Sequence, residues 1–371
     1  MNADHRLRRV SITAAAEALR TGDMELAEKL ARDAAEHSDG LDCRLVLAQS
    51  LAWQGRGRDA EAVLAAVNLD ELSEADLMAV ALPRAANQFW MLSEPERATA
   101  FLRNIRNRVT EPTGRTIDAL SATFAMNAGN PLRALDIATE VLAAPDADAQ
   151  AVAWAASTAS LCSARIGRFA AVQPLAERTA AAGHPGLLRY TIGLGQITAL
   201  SMTGRIEEAE QAARALTAAV EQQPSRAVGD VLLAQVLMIK DDDNAAAELL
   251  IPAAPILERT GYSWGPLALM LLATALARRG ELAEAAKALS RAESRHGTKS
   301  ALFAPELGLA RAWRLAAAND EHGAVSAARQ AAGMAERSGQ SAVAVQVWRN
   351  AVRLGDPHAA GPLERLTAEL A

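Results

Sequence analysis

Aromatic residues are scarce in this sequence: five Phe, two Tyr and six Trp in 371 residues. Strands favour aromatic and β-branched residues, so this poverty excludes an all-β fold, and the abundance of Ala, Leu and Glu favours helices. Cysteine is nearly absent. Cys43 and Cys162 stand far apart and match no metal-ligand spacing, which excludes a disulfide framework and points to reduced thiols. Lysine is as rare, at positions 29, 240, 287 and 299, so 34 of the 38 basic residues are Arg; with the Ala excess this suggests a GC-rich bacterial genome. Excess positive charge is missing too. A net charge of −6 argues against direct nucleic-acid binding or an anionic membrane surface, both of which need a concentrated positive field. The one basic knot, His5, Arg6, Arg8 and Arg9, reads as a solvated helix start rather than a contact surface. The longest apolar run, Pro266 to Ala277, is too short to span a bilayer, and the N-terminal MNADHRLRRVSIT carries Asp4 and no apolar h-region. Both predict a cytoplasmic protein with no membrane partner.

What is present is a repeat. The phrases TGDMELAEKLARDAA, QGRGRDAEAVLAAV, AGNPLRALDIATEVL, TGRIEEAEQAARAL and RGELAEAAKALSRA share one plan, an apolar helical run, a turn and a second apolar helix. Gly22, Gly55, Gly129, Gly204 and Gly280 occupy the turn, each followed five residues later by Ala: Ala27, Ala60, Ala134, Ala209 and Ala285. Degenerate copies with turns at Ser93, Gly167, Asp241, Asn319 and Gly355 complete a ladder averaging 37 residues per step. A fixed period in this range marks a helical solenoid, and two helices with short turns fill one period. A helix that turns back on its partner needs a residue tolerant of positive φ, which Gly, Asn and Asp supply. Asn130 before Pro131, and Asp356 before Pro357, are read as caps with Pro in first helical position. The small Ala after the turn permits close approach of the two helices. No unit buries its apolar stripe alone, so the prediction is an all-α solenoid, one domain over 1–371, of about ten antiparallel helix pairs.

The Gly-x-x-x-x-Ala phrase and its apolar ladder resemble the tetratricopeptide repeat, with most aromatic positions of that consensus replaced by Ala or Leu. The resemblance implies a right-handed superhelix with the first helix of each pair lining its concave face. The Ala-rich repeats and the closing phrase AVAVQVWRNAVRLGDPHAAGPLERLTAEL also resemble the central sensor segment of large LuxR-family, MalT-like transcriptional regulators. In that family the array lies between an ATPase module and a helix-turn-helix. This sequence holds no GxxxxGK[ST] loop, so such modules would be attached or associated parts of a longer protein.

By the family's geometry, residues two, three, six, ten and thirteen before each turn face the groove. Those positions, with the cations on the same face, give a candidate ligand or partner groove of Trp53, Asn87, Trp90, Met91, Met126, Asn127, Trp154, Arg165, Met202, Gln235, Met238, Met270, Arg278 and Trp313. Arg349 and Arg353 are further cations expected there, able to meet an anionic ligand end or a neighbouring carboxylate such as Glu306. Aromatic and thioether side chains with scattered amides make an adaptable surface for a small apolar ligand or a peptide. They could equally fill the axis of a tightly wound solenoid.

Catalytic and metal patterns are missing. The histidines at 5, 37, 184, 296, 322 and 358 form no ligand or triad spacing. Gly55, Gly57 and Ala60 spell a G-x-G-x-x-A phrase but follow a predicted helix, not the strand a dinucleotide site requires. The run Asp241 to Asn244 lacks the Gly and distal Glu of an EF-hand loop and reads as a capping turn. Glu207, Glu208, Glu281 and Glu284 sit where carboxylates favour a helix start. The expectation is a non-enzyme without cofactor or metal: a regulatory sensor module of the LuxR/MalT type or, alternatively, a stand-alone scaffold binding a peptide or helix in its groove.

Overall fold

The computed structural model describes residues 12–19, 23–37, 40–183, 188–218 and 223–370; the basic knot at 5–9, Gly22 and His184 lie outside them. The described chain is helical, with no strand among these residues. It folds into two compact units, residues 1–109 with 259–262, and residues 110–258 with 263–371. The first unit holds α1 (12–19), α2 (Met24–His37), α3 (Leu41–Trp53), α4 (Gly57–Ala65), α5 (Glu74–Ala86) and α6 (Pro95–Arg106). The second runs through α7 (Glu111–Asn127), α8 (Pro131–Ala143), α9 (Ala149–Ile166), α10 (Val172–Ala181), α11 (Leu188–Met202), α12 (Ile206–Ala218) and α13 (Ser225–Ile239). It continues through α14 (Asp243–Arg259), α15 (Trp264–Arg278), α16 (Leu282–Arg295), α17 (Ala304–Ala317), α18 (Glu321–Arg337), α19 (Ser341–Arg353) and α20 (Ala360–Leu370). Odd-numbered helices are the first of each pair and even-numbered helices the second.

Every described turn position read from the sequence has positive φ: Gly55, Ser93, Gly129, Gly167, Gly204, Asp241, Gly280, Asn319 and Gly355, between 57° and 104°. The local reason is a Schellman closure. At the α7–α8 turn the Gly129 N–H donates to the Met126 carbonyl and the Asn130 N–H to the Ala125 carbonyl, which satisfies two orphan carbonyls of the helix end. The residue between must be left-handed. At Ser93 the ladder slips: residues Asn87–Met91 form a π turn, and the Glu94 N–H reaches back to Gln88 instead of one residue less. That extra residue has no signature in the sequence pattern.

The Ala five residues after each turn is where the two helices touch. Ala27, Ala60, Ala98, Ala134, Ala209, Ala246 and Ala285 are all 0% exposed. The α9–α10 pair has the buried Val172 at this position, and the last pair departs from the rule altogether. Ala360 is exposed because α20 starts late, after a turn at 356–359, and Ala359 is the buried residue instead. Two of the expected caps do not form. Asn130 makes no cap bond; its Nδ2 donates back to the Ala128 carbonyl at 3.3 Å. Asp356 caps no first turn either, because Arg329 of α18 holds its buried carboxylate while Oδ1 accepts from the His358 N–H. The Asp242 carboxylate does cap, accepting from the Ala245 N–H at 3.0 Å, as expected of the acidic run.

The apolar run in α15 is buried on all sides, from Gly265 through Ala277, because a central first helix is packed by its own partner and by both neighbouring pairs. The second unit also closes on itself. A Cβ on Gly129 would lie 3.3 Å from Ala301, and one on Gly167 would collide with Leu370. The Ser263 hydroxyl lies 2.6 Å from both the Asn127 Oδ1 and the Lys299 carbonyl, with its one proton to give to either, and ties α7 to residues well over a hundred positions away.

Three outcomes are expected. Gly280→Ala, at φ +80° with no atom within 4 Å of the added Cβ, isolates the backbone requirement and should lower unfolding free energy by about 1 kcal/mol. Gly361→Ala, in α20 with ordinary φ and equally open space, should instead raise it by about 0.5 kcal/mol in the same urea titration. For the last turn, hydrogen bonding from Arg329 holds the Asp356 carboxyl below its ordinary value. Its stabilisation is therefore complete above an unfolded-state value of about 4 and lost as pH falls through the lower folded value. Asp356→Asn should melt lower than the parent at pH 7, with the gap closing as pH drops below about 4.

Candidate functional site

The second unit contains a partly enclosed cleft of about 290 Å³ whose walls come from five consecutive first helices: α11, α13, α15, α17 and α19. Its floor is apolar, made by Met238, Leu271, Leu309, Val343 and Val347, and its rim carries Gln235, Gln346, Asn350 and the cations Arg278, Arg349 and Arg353. The side chains from α11 and α13 belong to the last turns of those helices, as do Thr274 and Arg278 of α15, whereas α17 contributes from its N-terminal half and α19 from along its length. The shared repeat phase brings those turns side by side.

Two polar atoms of cleft-lining residues have no hydrogen-bond partner among the described residues. Ser201 is 7% exposed, yet its Oγ accepts and donates no hydrogen bond, and the buried Oε1 of Gln235 is equally unsatisfied. An unmade hydrogen bond at a buried polar group costs on the order of 1–3 kcal/mol, so such atoms are ordinarily partnered. Gln235 and Ser201 both line the cleft, beside its apolar floor. The other amide, Asn350, is committed: its Oδ1 accepts from the Trp313 indole N–H at 3.1 Å and its Nδ2 donates to the Gln346 carbonyl.

Two carboxylates hold two of these cations. The Asp241 Oδ1 accepts from Arg278 at 2.6 Å and from Arg353 at 2.7 Å, which holds the Asp241 carboxyl below its usual range. The Arg278 Nε lies 3.0 Å from Asp243, whose carboxyl is pushed up by burial. The guanidinium carbons of Arg278 and Arg353 lie 5.3 and 5.8 Å from the centre of the Trp313 ring. Glu306, on the cleft wall, is taken by Arg165 at 2.8 Å.

Of the groove residues read from the sequence, the cleft brings together Gln235, Met238 and Arg278, with Arg349 and Arg353 beside them. Trp313 stands at its edge, held by Asn350, and lines the open hollow on the other side of Arg353. Met126 and Met270 are buried in the main core, and Trp154 packs against that core. Met202 packs against the core of α17 to α20. Asn127 is consumed by Ser263 and by its own helix, donating to the Thr123 carbonyl. Arg165 is 2% exposed and spent on Gln340, the Leu302 carbonyl and Glu306, with its guanidinium 5.2 Å from the Phe303 ring centre. Its pairing with Glu306 is the carboxylate alternative left open by the sequence.

Trp53, Asn87, Trp90 and Met91 belong to the first unit. There the rings of Trp53 and Trp90 lie 5.3 and 5.6 Å from that of Tyr262, and Asn87 donates to the Gly57 carbonyl at 2.9 Å. Tyr262 is not legible as their companion, since it lies outside every turn-counted position. Ser201, Ile239 and Leu309 do fall at counted positions, three, two and ten residues before their turns, but nothing in their residue types marks them. Val343, Gln346 and Val347 fall outside the count. Among the described residues no group of three or more His, Cys, Asp or Glu could hold a metal ion, and no helix is long and apolar enough to cross a membrane.

Arg165 is the cross-tie most exposed to test. Arg165→Met should cost about 3 kcal/mol in urea denaturation, because Glu306 and Gln340 lose their partner in a dry environment, and Arg165→Met with Glu306→Gln should recover part of that loss.

No protein-family model matches the chain, and no curated protein sequence matches it. Among solved structures, a Rap protein complexed with competence and sporulation factor is similar over 90% of this chain and 99% of its own, with a TM-score of 0.62 and 13% identity. A tetratricopeptide repeat protein from Parabacteroides merdae ATCC 43184 is similar over 70% of this chain and 98% of its own, with a TM-score of 0.42 and 13% identity. The likeness to the Rap protein is one of fold, and in fold this chain is an all-helical, tetratricopeptide-like repeat protein.

Proposed function

We propose that the chain is a protein-interaction scaffold, a non-enzymatic tetratricopeptide-like array whose repeat phase runs through residues 1–371, and that the cleft of α11 to α19 receives a peptide segment of its partner. The observation that carries this reading is the pair of unpartnered buried atoms, Ser201 Oγ and Gln235 Oε1, over the apolar floor. A peptide supplies what they lack. Its backbone N–H donates to Gln235 Oε1, a backbone group pairs with Ser201, and apolar side chains enter the space over Met238 and Val347. The Gln346 side chain, which makes no hydrogen bond among the described residues, extends the same row of polar groups along α19. The Rap protein of similar fold is itself a complex with a factor, which agrees with a partner-holding role.

The finer reading, a ligand sensor of a LuxR/MalT-type regulator with attached ATPase and DNA-binding modules, rests on the sequence resemblance. The volume of the cleft, about 290 Å³, favours it to the extent that pockets for small molecules begin near this size. The open rim and the unmatched amides favour the peptide.

Affinity-selection mass spectrometry of the purified chain against a random nonapeptide library tests the proposal. Retained peptides should bind Met238→Ala and Val347→Ala more weakly by about 1–2 kcal/mol each, with thermal unfolding still cooperative. Failure to retain any peptide, or retention indifferent to both truncations, would overturn it; retention of a co-purified small molecule on the unwashed chain would turn the reading towards the sensor.

A further inference from the structure

Resting on the peptide reading, we propose that the segment received by the cleft carries a carboxylate, and that Arg349 is the residue that selects it, with Arg353 beside it. Arg349 and Arg353 lie one helical turn apart on α19 and both line the cleft. Like charges at this spacing repel, an arrangement that favours an anion between them. Arg353 has one, Asp241, but shares a single oxygen of it with Arg278. Arg349 has none: it is exposed and makes no ion pair or hydrogen bond among the described residues.

The wall carboxylate does not answer this excess. Glu306 is the one acidic residue among those lining the cleft, and the buried Arg165 holds it from behind, with Gln340 and the Leu302 carbonyl fixing that guanidinium in place. Asp241 and Asp243 are occupied by Arg278, which Trp313 stacks upon and Asn350 in turn positions. One guanidinium is therefore left unmatched at the rim of an apolar cleft, with a second half-matched one turn away. A planar, singly charged carboxylate fits the guanidinium fork and neutralises it one for one. A phosphate fits less well. It brings close to two charges, and Arg349, Asn350 and Arg353 stand in the last turns of α19, near a carbonyl end whose partial negative charge opposes a dianion.

Two sources supply a carboxylate, an Asp or Glu side chain and a free C-terminus, and the experiment separates them. Two synthetic nonapeptide libraries, one ending in a free acid and one amidated, each with acidic, acid-free and phosphoserine-containing members, are selected on the full chain, and the retained peptides are titrated by fluorescence anisotropy. The expected result is enrichment of Asp or Glu at one position in both libraries, or a requirement for the free acid. Arg349→Gln should weaken binding about tenfold, Arg349→Lys should restore part of it, and Arg349→Glu should shift the preference to Lys or Arg at the selected position. Arg349 has no partner to lose, so its variants should melt as the parent does. Peptides retained with no acidic preference, with phosphoserine preferred over Asp and Glu, or with a preference unchanged by Arg349→Glu would overturn this inference and leave the peptide reading standing. An absence of retained peptides in both libraries would overturn the two together.

Discussion

The close approach of two antiparallel helices across a left-handed residue is the constraint on which everything else depends. Where the first helix ends, a residue at positive φ turns the chain so that the second runs back at once, and an Ala without exposed surface lets the two axes approach. The tight pair has a cost. A helix packed this closely through Ala presents its larger Leu, Val and Met residues outward to the next pair, so each repeat is completed by its neighbours. α15 shows the limit, with an entire helix converted to core.

The same constraint makes the cleft. Because every first helix ends at the same kind of turn, the last turns of α11, α13 and α15 arrive together beside α17 and α19, and residues far apart in sequence share one surface. The cleft thus inherits its polar groups from positions where the helices are least able to satisfy them internally. Ser201 and Gln235 are such positions, and so is Arg349, which pairs with no carboxylate among the described residues.

Periodicity carries the fold, because turn chemistry is local: Gly129 or Asn319 announces its φ without reference to anything distant. The degenerate turns Ser93, Asp241 and Asn319 are readable because the ladder fixes their places. The site is legible only in part. Counting back from the turns selects Gln235, Met238 and Arg278, which line the cleft, but it also selects residues that do not. Whether an inward side chain meets solvent depends on how tightly the array winds. Met270 is buried in the core, and Arg165 meets protein because α9 is met by the turn before α19 and by α17. That closure joins residues 137 to 175 positions apart, beyond the reach of any local pattern. The π turn at Asn87–Met91 escapes the pattern for a related reason: it is an extra residue absorbed within a helix, not a change in the alternation of apolar and polar positions.

The bond from Arg165 to Gln340 changes the kind of object the second unit is. A repeat array linked only through nearest neighbours behaves as a line: its ends fray first, and damage in one repeat fades over the next few. Here α9 in the middle grips the segment leading into α19, so the line is fastened into a loop. Loosening the terminal repeats then means releasing a buried cation at the centre. The last repeats, which carry Arg349 and the far wall of the cleft, are held by the same fastening as the first, and the cleft keeps its width as a property of the closed circuit.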